Sequence, residues 1–173
     1  MKTKQKVHPS IFVVHSPDGA AIADSDDSLE KLGKIVPLEE FADFCLLYLE
    51  NESEDEKESE DAKETWQRLR DELAPEFALE PVFIDYGGRL SYATGLVTVR
   101  FKKTPTDDEL KQFARQWGLR FKARNPYVPS QATFDKTAGT LNHYLPDIID
   151  SIKSSAKHVR AVWPDTISRY LKI

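Results

Sequence analysis

The chain has 173 residues, 40% of them hydrophobic and 31% charged, with a net charge of -5 and a single cysteine. That share of apolar residues is enough for one large domain or two small ones. It excludes a membrane-spanning helix, since no apolar run approaches roughly 20 residues, and an internal disulfide, since Cys45 has no mate.

The basic start (Lys2, Lys4, Lys6) leads into only four apolar residues before His15, too few for a secretory leader, so a cytoplasmic location is expected. Charge is divided unevenly: residues 1–92 hold 10 Lys/Arg against 22 Asp/Glu, and residues 93–173 hold 14 against 7. Opposite halves of this kind predict two folding regions.

In chain order, Ile11, Phe12, Val13, Val14 and His15 form a β-type run, and Ser16-Pro17-Asp18-Gly19 is a turn leading into Ala20, Ala21, Ile22 and Ala23, which predicts a hairpin. The acids at 24–27 lack the Gly and Glu spacing of a calcium loop and predict instead the cap of a short helix through Leu32. Pro37 then opens a predicted helix, with Leu38, Phe41, Cys45, Tyr48 and Leu49 three and four residues apart. Cys45 belongs to its apolar face and reads as a core residue. Residues 51–64 have little to bury and read as a solvated acidic stretch. Trp66, Leu69 and Leu73 resume a helical stripe that Pro75 ends. Residues 81–85 and 89–92 predict a strand pair around Gly87-Gly88, and the boundary is placed here, giving an acidic α+β accessory region over 1–80 and a second domain over 81–173.

The second domain is the most legible. Val97, Val99 and Phe101 alternate with Thr98, Arg100 and Lys102, a strand with one buried face. Thr106 and Glu109 form a capping box, Leu110, Phe113, Ala114 and Trp117 share a helical face, and Gly118 stops the helix. Strands over 119–123 and 131–136 follow, separated by the loop 125–130. Pro146 lies in the first turn of a helix carrying Ile148, Ile149 and Ile152, and a strand over 159–163 completes the set. Strand, helix, two strands, helix, strand predicts an α+β, ferredoxin-like split β-α-β-β-α-β sandwich. Its helices would cover one sheet face and leave Thr98, Arg100 and Lys102 on an open one.

Three stretches carry a resemblance: Leu96-Val97-Thr98-Val99-Arg100-Phe101-Lys102, the helix end Trp117-Gly118-Leu119, and His158-Val159-Arg160-Ala161-Val162-Trp163-Pro164-Asp165. Together they resemble the propeptide, or inhibitor-type, domain of subtilisin-like serine proteases, over about residues 81–173. The resemblance implies an intramolecular chaperone and inhibitor whose open sheet packs on a protease, in cis or in trans, while the following segment enters the active-site cleft. That segment would be Thr166, Ile167, Ser168, Arg169, Tyr170, Leu171, Lys172 and Ile173. The chain departs from the family in offering a β-branched Ile173 at the cleavage-side position and no acid in loop 125–130.

Nothing in the sequence reads as a catalytic centre, and no cofactor or metal is expected. His8, His15, His143 and His158 stand beside no spaced cysteines or carboxylates and read as surface or capping residues. No G-x-S-x-G, Walker or G-x-G-x-x-G motif is present. The alternative is nucleic-acid binding, because RNA-recognition domains share this topology and Arg100, Lys102, Arg120, Lys122 and Arg124 would line the sheet. The third strand, however, lacks the stacking motif of those domains, and the acidic first half would repel phosphates.

Overall fold

The computed structural model describes residues 6–22, 26–38, 41–49, 62–73, 76–85, 87–137 and 143–168. The acidic stretch 51–61, the stop at Pro75 and residues 169–173 of the expected tail lie outside the described residues. Within them the chain is α+β, with eight strands and four helices. It divides into two compact units, Met1–Ala93 with Ile167–Ile173, and Thr94–Thr166. The division falls where the charge changes sign and not near residue 80, because the strand following residue 77 pairs with the first strand of the chain.

The first unit contains β1 (Lys6–His15), α1 (Asp27–Glu30), β2 (Gly33–Pro37), β3 (Phe44–Leu49), α2 (Ala62–Leu73), β4 (Ala78–Ile84) and the start of β5 (Leu90–Phe101). Its strands run in the order β2-β3-β1-β4-β5, and each pair is antiparallel. Two expectations are corrected here. The turn at 16–19 forms, with Gly19 N–H donating to Ser16 O at 3.1 Å, but the described residues 20–22 after it form no strand, and β1 takes β3 as its neighbour. The helix expected from Pro37 is instead β2 and β3, with Val36 opposite Leu46 and Pro37 opposite Cys45.

The reason is burial on both faces. A central strand flanked on each side reads as a continuous apolar run, and Phe44-Cys45-Leu46-Leu47 is one whose three- and four-residue spacings imitate a helix. On one face Ile11, Val13, Leu38, Leu46, Val82 and Tyr92 form a core cluster, with Val36, Phe44, Tyr48, Leu90 and Ile167 packed on it. The helix α2 packs against β1 and β4, burying Trp66, Leu69 and Leu73, and Trp66 Nε1 donates to Leu79 O at 2.8 Å. Gly33 approaches β3 so closely that a Cβ there would lie 2.1 Å from the Tyr48 carbonyl oxygen, which only glycine permits.

The second unit contains the rest of β5, then α3 (Asp107–Gln116), β6 (Leu119–Arg124), β7 (Gln131–Lys136), α4 (Leu145–Ser155) and β8 (Val159–Ser168) as far as Thr166. Its strand order is β8-β5-β7-β6. The predicted local signals all form. Thr106 Oγ1 accepts from Glu109 N–H at 3.2 Å while the Glu109 carboxylate accepts from Thr106 N–H at 3.2 Å. Gly118 takes the left-handed φ of 65° that ends α3. Pro146 sits in the first turn of α4, which buries Leu145, Ile148, Ile149 and Ile152.

An aromatic cluster joins helix to sheet. Phe113 of α3 meets Phe101 of β5 at 5.1 Å, edge on, and Phe134 of β7 at 5.2 Å, and Phe121 of β6 meets Phe134 at 6.0 Å. Offset and edge-on rings at these spacings are favourable arrangements beyond the area they bury.

Candidate protein-docking surface

On the second unit, the face of β5 opposite Val97, Val99 and Phe101 carries Leu96, Thr98 and Arg100. Cross-strand pairing sets Leu96 opposite Asp135, Thr98 opposite Thr133 and Arg100 opposite Gln131. The β7 residues on this face, Gln131, Thr133 and Asp135, are half-buried, whereas Ala132, Phe134 and Lys136 on the other are buried. Arg120 of β6 clamps Asp135 with two parallel bonds, Nε to Oδ1 at 3.0 Å and Nη2 to Oδ2 at 2.6 Å. The hydrogen bond and charge of Asp135 push the guanidinium pKa up further, so this exposed arginine is permanently charged.

The three residues expected on an open face separate. Thr98 is only 6% exposed, Arg100 is exposed, and Lys102 is exposed but lies past the end of β5, where its N–H donates to His158 O at 2.9 Å. The face is thus presented to solvent at its Arg100 end.

The expected tail does not start as a loose peptide. Thr166, Ile167 and Ser168 continue β8, and Ile167 packs on the core cluster of the first unit. Burying part of an isoleucine contributes on the order of 1 kcal/mol, enough to hold this point of the chain most of the time. Residues 169–173 lie outside the described residues.

One feature of this surface is absent from the sequence reading. Loop 125–130 carries Tyr127 with 92% of its surface exposed. The signal was available: an asparagine two residues before a tyrosine, with prolines on both sides, is a turn able to fix its own backbone. Asn125 Oδ1 accepts from Tyr127 N–H at 2.8 Å and Val128 N–H at 3.1 Å.

The histidines need a correction. His15 lies on the inner strand β1, its Nε2 3.5 Å from Oε1 of the wholly buried Glu80 and its ring stacked on Phe44 at 5.1 Å. His8 is partly buried, which lowers its pKa, and its Nδ1 accepts from Ser10 N–H. Both are framework residues, drawn inside because β1 is a central strand. Among the described residues, no group of three or more His, Cys, Asp or Glu could hold a metal ion, and no helix is long and apolar enough to cross a membrane.

No family model, curated protein or solved structure matches this chain.

Proposed function

We propose that the second unit is a protein-docking module of the subtilase-propeptide type, a split β-α-β-β-α-β sandwich that inhibits or chaperones a subtilisin-like serine protease by occupying its cleft. The observation that carries this reading is the strand order β8-β5-β7-β6 with a helix after β5 and another after β7. That order is what a split βαβ arrangement requires. The Arg100 end of the face supports docking because it is exposed, and the β7 residues on that face, Gln131, Thr133 and Asp135, do not offer the stacking aromatics of an RNA-recognition sheet.

In this reading β8 guides the chain toward the cleft, and the inserted peptide begins after Ser168. Such a peptide gains affinity from backbone hydrogen bonds along the cleft and specificity from alternate side chains, Tyr170 among them. Ending the chain at Ser168 keeps Ile167 in its cluster. The expected result is an unchanged melting temperature with inhibition of a subtilisin-like protease weakened about 100-fold, or about 2.7 kcal/mol. Equal inhibition by the shortened chain would defeat the cleft-insertion reading.

A further inference from the structure

We propose that Tyr127 is the anchor of this docking surface, inserted into an apolar pocket of the partner protein whose rim carries carboxylates. The inference rests on the protein-docking reading but not on the tail.

A tyrosine side chain that is 92% exposed leaves a large apolar ring in water, and in a mobile loop it would be uninformative. Here the backbone around it is fixed. Besides the two bonds to the Asn125 carboxamide, Asn125 N–H donates to Gln131 O at 2.9 Å, Gln131 N–H donates to Val128 O at 2.9 Å, and Arg124 Nη1 donates to Pro129 O at 2.9 Å. Arg124 is itself tethered to Asp107 at 3.0 Å. None of these bonds uses the tyrosine ring, so the loop is built around its base and not around its contacts.

Rigid display lowers the ordering cost of association, and tyrosine, with few rotatable bonds and a polar tip, is among the side chains enriched at the energetic centre of interfaces. The rim chemistry follows from the neighbours. Phe101 N–H donates to Ser130 O at 2.8 Å, which brings Lys102 and Lys103, both exposed, to the exit of the loop, and Arg100 is opposite Gln131. These cations would steer carboxylates. Single-stranded nucleic acid fits less well, since such sites use successive aromatics and this loop offers one.

The test is inhibition of a purified subtilisin-like protease by the full chain, Tyr127→Ala, Tyr127→Phe and the pair Lys102→Glu/Lys103→Glu, with circular dichroism to establish folding. Expected are a loss of about 30-fold for Tyr127→Ala, near-normal inhibition by Tyr127→Phe, and slower association with weaker salt dependence for the lysine pair. Full inhibition by folded Tyr127→Ala overturns the anchor and leaves the docking reading standing. Absence of binding by the unaltered chain overturns both. Salt-sensitive binding of a uridine oligonucleotide that depends on Tyr127 overturns the anchor in favour of a nucleic-acid site.

Discussion

Phe134→Ala is expected to destabilise the second unit by about 4 kcal/mol, in the range found when a buried phenylalanine is cut back to alanine. Phe134 has no exposed surface and sits in β7 between its partners, opposite Val97 of β5 and Phe121 of β6. Its ring touches Phe113, which in turn touches Phe101 and Trp117. Removing it leaves a cavity walled by elements that cannot close together, because β5 and β6 are each hydrogen-bonded to β7. Urea unfolding followed by tryptophan fluorescence measures the change. A loss below about 1 kcal/mol would mean that the cluster is not the core of this unit. A small domain typically holds only about 5–15 kcal/mol in total, so the variant should also melt at a clearly lower temperature.

Cys45 provides the second large effect, in the first unit. Burial, and to a lesser degree the Asp26 carboxylate, push its thiol from an ordinary 9.0 up to about 11. Two units lower the thiolate share about 100-fold at pH 8, and burial in β3 blocks access further. Labelling by a thiol reagent at pH 8 should therefore be more than about 100-fold slower in the native chain than in urea. Equal rates would place the residue outside the core. The sign of the linkage also follows. The folded state holds the proton more tightly than the unfolded one, so this contribution to stability is complete below pH 9 and is lost as pH rises from 9 towards about 11.

The contrast between the two units has a physical origin. In the second, independent local signals agree: the Thr106 and Glu109 box, the Gly118 stop, Pro146 in a first turn and strict alternation at 131–136 each specify the same element. In the first, residues 44–49 are apolar at every position, and such a run does not distinguish a buried strand from a helix. Only the pairing of β3 between β1 and β2, a long-range event, decides that it is a strand. The strand expected over 159–163 runs on to Ser168, because β8 is an end strand of its unit, where the missing N–H of Pro164 is tolerated.

Of the candidate site, Arg100 was legible because alternation assigns it a face. Thr98 shares that face, but its burial depends on neighbours that alternation cannot specify. Around Tyr127, Asn, Pro and Ser identify only a connection, while the bonds that make the connection rigid involve Gln131, Arg124 and Asp107 from flanking elements.

Occupation of a protease cleft by the second unit would be visible in steady-state kinetics. Peptide hydrolysis by a subtilisin-like protease, measured against rising concentrations of the full chain, should show an apparent KM that climbs while kcat stays constant, and a protease whose active-site serine is already blocked should bind the chain less tightly. Unchanged hydrolysis in the presence of excess chain, or equal binding to the blocked and open enzyme, would contradict the account.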